Sequence, residues 1–265
     1  MSAMIDSFLG RLFHNQWVIF GFVSIVLVIC AWMGTRLGLA AKRKNPDTAQ
    51  GHSGSLQGAV LGLLGLLLGF SFAMAVARFD SRRSLVVDEA NAIGTTWLRT
   101  DFLPTEARGE SRRLLKRYTE LRIEGFKAAD EPADFARVRA ETASLHAALW
   151  NAANHAANTQ PTPVVVSYVT SLNEMIDLDA CRMAASRNHV PGAVWLLLIL
   201  IGGCGAWANG YSTGAMGIRS VFTLWVFPLL IGVVITLISD IDQSRRGLIS
   251  MSQKPLEELL AGMNP

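Results

Sequence analysis

Residues 58–76, GAVLGLLGLLLGFSFAMAV, run directly into residues 77–99, ARFDSRRSLVVDEANAIGTTWLR, with no proline between them. The first part is long enough to cross a hydrocarbon layer of about 30 Å at about 1.5 Å per residue. Arg78, Asp80, Arg82 and Arg83 mark where the chain leaves the lipid. The stretch reads as one continuous helix, membrane span first and water-exposed rod second, and the rest of the chain is placed relative to it.

Further runs of spanning length start at residue 17 and end near 39, start at 193 and end near 211, and start at 218 and end near 239. The run inside the opening stretch extends from 56 to about 77. Long continuous apolar segments, without the ten-residue alternation of a barrel strand, require helices to satisfy backbone groups in lipid. The expected fold is all-α: four transmembrane helices plus a helical-bundle insert between spans two and three, with the lipid bilayer as partner. The net charge of +3 is too small to point to nucleic acid, and the basic residues cluster beside the spans, where they serve as interface anchors. Cys30, Cys181 and Cys204 are odd in number and far apart, which supports neither a disulfide framework nor a metal motif. The first run exceeds the apolar core of a signal peptide and is read as a retained span.

The chain divides into an N-terminal flank (1–16), a transmembrane hairpin (17–80), a cytoplasmic helical domain (81–191), a second hairpin (192–240) and a cytoplasmic tail (241–265). Lys42, Arg43 and Lys44 close the first span, and Asn45-Pro46 with Gly51 and Gly54 make a short loop. In the insert, Pro104, Pro132, Pro161, Pro163 and Pro191 fall where helical patterns break. They delimit helices at 81–100, 105–129, 134–157 and 164–187. Leu114, Tyr118, Leu121 and Ile123, and likewise Val165, Val169, Leu172 and Ile176, recur at helical spacing and predict a bundle. An even number of spans places both termini and the insert on one side. Arg11, Arg78, Arg82, Arg83, Arg182, Arg187, Arg245, Arg246 and Lys254 lie there, against Arg36, Lys42, Arg43, Lys44 and Arg219 opposite, so the larger set faces the cytoplasm of an inner membrane.

The second span carries two stripes. Gly58, Gly62, Gly65 and Gly69, continued by Ala73, fall on one side at helix-packing spacing. Leu63, Leu66, Leu67, Phe70 and Met74 fall beside them, and Arg78 and Arg82 extend that line beyond the membrane. Around an axis, the bulky stripe would form an apolar neck of the kind that gates by dewetting, with Arg78 and Arg82 drawing in small anions. Periodicity alone favours the other reading, an ordinary lipid-facing Leu-rich surface with interfacial arginines, because such stripes are common in transmembrane helices.

Other clusters point to structure. Asp88, Glu89, Glu174, Asp177 and Asp179 share two segments with Arg82, Arg83, Arg99, Arg182 and Arg187, which predicts ion pairs joining the first and last insert helices. His146 and His155, nine residues apart, do not match a metal spacing; they are read as solvated or hydrogen-bonded, or as pH sensors if placed at an interface. No metal or cofactor is expected, and no nucleophile arrangement suggests an enzyme. The tail has apolar positions at Leu248, Ile249 and Met251 and again at Leu256, Leu259 and Leu260, suited to docking on the insert, on a neighbouring subunit or on the membrane surface.

The segments RFDSRRSLVVDEANAIGTTWLR, SLNEMIDLDACRMAASRNHVP and SDIDQSRRGLISMSQKPLEEL resemble the bacterial bestrophin-like domain family over nearly the whole chain. Leu68-Gly69-Phe70, followed by Arg78 and Phe79, is similar to the second transmembrane helix of bestrophins, as is the four-span layout. That resemblance implies a pentameric anion channel with a neck at Phe70, Leu66 and Leu63 or Gly62. Two departures stand out: Phe79-Asp80 replaces tandem tryptophans, and the fourth span is followed by only Asp240 and Asp242 rather than a dense acidic run, so calcium gating is not implied. The alternative is a non-conducting membrane-anchored scaffold or signalling protein whose insert binds a partner; a monomer in detergent would favour it.

Overall fold

The computed structural model describes residues 16–44, 53–127, 132–217, 221–243 and 248–263. The flank 1–15, the loop with Asn45-Pro46 and Gly51, Arg219, and Arg245 with Arg246 lie outside the described residues. Every regular element described is helical: α1 (Gln16–Lys44), α2 (Ser53–Arg99), α3 (Thr105–Lys127), α4 (Pro132–Thr159), α5 (Pro163–Arg187), α6 (Gly192–Met216), α7 (Phe227–Asp242) and α8 (Lys254–Gly262). Four of the helices are long and apolar enough to cross a membrane. The opening stretch is one 47-residue helix, as the absence of proline predicts.

Local chemistry sets the ends. α2 tightens into a 3-10 turn at Thr100–Phe102, and Leu103 then turns extended because Pro104 excludes the helical conformation before it. Thr162 caps α5, its hydroxyl accepting from the Val165 amide at 3.4 Å, with Pro163 in the first turn where its missing N–H costs nothing. α6 ends on Gly217 at φ 78°, a left-handed position suited to glycine, and Lys42 Nζ donates to the terminal Met216 carbonyl at 2.6 Å. α7 is preceded by a π-helical turn at Phe222–Val226, next to Pro228.

The chain forms two compact units, one running through Phe79 and resuming over His189–Ile249, the other comprising Asp80–Asn188 and the residues from Ser250 onward. In the first unit α6 is the central packing element. Cβ atoms added at Gly34 and Gly38 of α1 would land on the carbonyls of Trp207 and Tyr211, and ones at Gly210 and Gly214 of α6 on those of Ala31 and Thr35. This reciprocal pair of glycine-xxx-glycine patterns lets two backbones touch, the form of packing that lipid favours. Leu27, Ala31, Leu198, Ile235 and Ile238 fill the core around it. Asp242, buried at the end of α7, accepts from the Val190 amide at 3.1 Å, and Asp240 from the amides of Leu248 and Ile249 at 3.2 and 3.0 Å.

In the second unit α3, α4 and α5 surround the distal part of α2 with a core of Ile93, Leu115, Tyr118, Leu121, Leu149, Tyr168, Leu172 and Met175. Leu256 and Met263 of the tail are buried in the same core, and Leu259 and Leu260 pack against it. Each fully buried side chain of this size contributes about 1.5–3 kcal/mol.

Candidate pore helix

The apolar part of α2 presents a narrow face to its own chain. Leu64 and Ala75 are buried in the membrane core, Val60, Leu61 and Leu64 border Gly205 of α6, and Gln57 Nε2 donates to Asn209 Oδ1 at 2.9 Å. Gln57 meets Asn209 while Leu61 and Leu64, further along α2, meet Gly205 four residues earlier on α6, so the helices run antiparallel here.

The glycine stripe and the Leu63, Leu66 and Phe70 part of the bulky stripe lie outside that face. Leu63, Leu66 and Phe70 are 47%, 54% and 64% exposed. Gly58, Gly62, Gly65 and Gly69 are exposed as well, and a Cβ at any of them would meet nothing within 4 Å. At 3.6 residues per turn the two stripes sit about 100° apart around the helix. The glycines that bring helices together within the chain are instead those of α1 and α6; the spacing in GTRLG (34–38) and GYSTG (210–214) was the available signal.

Three residues of the bulky line are placed differently from the sequence expectation: Leu67 packs half-buried against the core, and Met74 and Arg82 also turn inward. Met74 is half-buried against the membrane core, its sulfur accepting from Arg78 Nη2 at 3.7 Å. A helix advances 100° per residue, so a four-residue step drifts forward by about 40° and carries Met74 away from the exposed face. Arg82, expected to draw in anions, is buried; its Nε donates to the Ala185 carbonyl at 3.1 Å and its Nη2 to that of Asn188 at 2.7 Å. It serves the C-terminus of α5, where carbonyls lack helical partners and the dipole favours a cation. Arg78 is half-buried, and its Nη1 makes no hydrogen bond within the chain.

Of the expected ion pairs between the first and last insert helices, Glu89–Arg182 is present, and it belongs to a network whose other arginines the sequence did not reveal. Glu89 is 0% exposed and is met by Arg122 Nε at 2.7 Å, by Arg182 Nη1, and by the Tyr118 hydroxyl, which donates at 2.9 Å. Arg122 also reaches Asp179 at 2.7 Å, Arg139 reaches the other oxygen of Asp179 at 3.2 Å, and Arg182 donates to Gln253 at 3.3 Å. Burial pushes the Glu89 carboxyl up, but the charges of Arg122 and Arg182 and the hydrogen bonds outweigh it and hold the group below its ordinary value. Asp88 instead accepts from Ser84, and Asp177 from Asn173. The His146 ring lies 5.2 Å from that of Tyr118, tilted by 43°, with a buried, unbonded Nε2, whereas His155 is exposed. Among the described residues no cluster of His, Cys, Asp or Glu has the makings of a metal site.

These features define a multi-pass α-helical membrane protein with a helical domain inserted between its second and third spans. The bestrophin-like domain matches residues 21–256, and the chain belongs to that family. Its fold is that of a bacterial bestrophin homologue from Klebsiella pneumoniae. One crystal structure of a single-residue variant aligns with a TM-score of 0.66 at 14% identity over 90% of this chain and 97% of that one. Another, phased with zinc, aligns with a TM-score of 0.62 at 15% identity over 90% and 94%. A structure described as a membrane protein aligns with a TM-score of 0.67 at 13% identity over 91% and 97%. No curated protein sequence matches the chain. Family and fold together support a channel-type membrane protein.

Proposed function

We propose that the protein is an oligomeric anion channel of the inner membrane, with its pore lined by α2. The observation that carries this reading is the pair of unpartnered faces on one span, bulky at Leu63, Leu66 and Phe70 and glycine-lined at Gly58, Gly62, Gly65 and Gly69. Copies arranged around an axis, five by analogy with the family, turn the first face into an apolar neck and use the second for close approach of neighbouring helices. Arg78, half-buried at the end of the span, supplies a positive charge near that path. Arg82 contributes by fixing the end of α5 rather than by meeting ions. Met74 supports the neck from behind. Both termini and the insert face the cytoplasm in this arrangement.

Chloride and potassium flux measured in proteoliposomes tests the reading. The native protein is expected to pass chloride faster than potassium, and Phe70→Ala to raise the chloride rate by widening the neck. Absence of flux from a well-folded oligomer overturns the channel; flux unchanged by Phe70→Ala and Leu66→Ala overturns the neck.

A further inference from the structure

On the side of α2 away from the exposed faces, one polar pair joins the start of the span to α6. Gln57 and Asn209 are each half-buried, and their amides meet at 2.9 Å. Side-chain hydrogen bonds between helices of this kind tie neighbouring spans together. One turn further along α2, Leu61 and Leu64 rest on Gly205, where an added Cβ would lie 3.4 Å from Leu61 Cδ2, 3.7 Å from Leu64 Cδ2 and 3.8 Å from Val60 Cγ1. Gly205 is buried, and Asn209 follows it by four residues on the same face of α6.

Direction matters here. Gln57, Leu61 and Leu64 occupy an arc of α2 that is about 140° from Phe70 by helix geometry. A contact on that arc pulls the helix toward α6 and draws Phe70 away from whatever lies beyond the exposed face. A side chain larger than the space at Gly205 pushes the other way.

We propose that the Gln57–Asn209 hydrogen bond and the Gly205 seat are positioning elements that hold α2 back and so set the width of the neck. The inference rests on α2 lining the pore. It assigns to an amide pair and one glycine, none of which faces the ion path, control over conductance rather than over assembly.

Single-channel recording of the full-length protein in planar bilayers tests it, with thermal stability and oligomer size measured on the same preparations. Asn209→Ala is expected to lower unitary conductance by roughly twofold or more while oligomer size is unchanged, because a neck gated by dewetting responds steeply to small changes in radius. Gly205→Leu is expected to lower it further. Gly205→Ala, whose methyl meets its neighbours at ordinary contact distances, is expected to leave it unchanged. The exchange variant, Gln57→Asn combined with Asn209→Gln, keeps the summed side-chain length and is expected to restore native conductance. A purely structural pair would change the number of active channels or their thermal midpoint without moving unitary conductance. That result, or unchanged conductance in both Asn209→Ala and Gly205→Leu, overturns the proposal. If the native protein passes no current, the channel reading itself fails, and the positioning role falls with it.

Discussion

Glu89 offers the sharpest energetic test, because its carboxylate is fully buried between two arginines. Glu89→Gln keeps the shape and one acceptor oxygen but removes the charge. Arg122, 11% exposed, and Arg182, 12% exposed, then remain in the interior with their anion gone, although Asp179 still meets Arg122 at 2.7 Å. Breaking a buried pair by removing one partner costs about 3–5 kcal/mol, mostly the uncompensated charge left behind. That corresponds to roughly two to nearly four orders of magnitude in an opening equilibrium. Hydrogen exchange of the detergent-purified full chain reads it directly. Amides in α3 and α5 are expected to lose protection by that factor, while those where α1 and α6 pack together keep theirs. Combining Glu89→Gln with Arg182→Met is expected to recover part of the loss, since one stranded cation is then gone. The sign of the pH dependence follows from the lowered carboxyl. The stabilisation from Glu89 is fully present above its unfolded value of about 4.5 and is lost as pH falls through the lower folded value, so Glu89→Gln flattens that acid limb. A loss of protection below tenfold, or an acid limb as steep in the variant as in the native chain, would refute the idea that Glu89 is the hub of this network.

Gly34→Ala places a methyl on the Trp207 carbonyl and forces α1 and α6 apart, so a loss of about 2–4 kcal/mol in the thermal or denaturant stability of the membrane unit is expected. Gly62→Ala meets nothing within its own chain and is expected to leave that stability alone, with weakened self-association by size-exclusion as the effect expected on the proposed oligomeric reading. Burial pushes the His146 imidazole down, a shift raised again by Asp179 and Glu89 and lowered by Arg122 and Arg139. Its folded form therefore binds fewer protons than its unfolded form just below pH 6.5, so stability falls as pH drops from there. His146→Phe, which keeps the ring against Tyr118, is expected to remove that slope in equilibrium unfolding measured between about pH 6.5 and 5.

How much of this was legible in the sequence follows from where each signal originates. The spans, the proline breaks and the continuous α2 depend on local composition, and residues 53–99 form the single helix that the absence of proline required. The ion-pair network was half visible. Glu89, Asp179 and Arg182 lie in the two segments rich in both acids and arginines, but Arg122 and Arg139 come from the two intervening helices, and only the tertiary fold brings them to the same carboxylates. Arg122 could have been suspected, since it follows Tyr118 by four residues beside an apolar stripe. Arg82 was misjudged because a sequence shows a charge near a membrane edge but not that the end of α5 arrives with unsatisfied carbonyls. The Gln57–Asn209 pair joins residues 152 positions apart, and nothing in either segment names the other.

The two glycine patterns, alike in sequence, separate once their surroundings are known. In α1 and α6 each glycine is needed, because the opposite carbonyl occupies the place of its side chain. In α2 four glycines border empty space, although glycine disfavours a helix by about 1 kcal/mol relative to alanine at each position. A lipid-facing surface gains nothing from that cost, since acyl chains pack as well on alanine or leucine. A surface that a neighbouring helix approaches to backbone distance does gain, as the contact between α1 and α6 demonstrates within this same chain. On the proposed oligomeric reading, the glycine face of α2 is the surface on which a second copy of the chain packs. In that proposed arrangement, glycines turned toward a neighbour put Phe70 and Leu66, about 100° around the helix, toward the axis the copies would share.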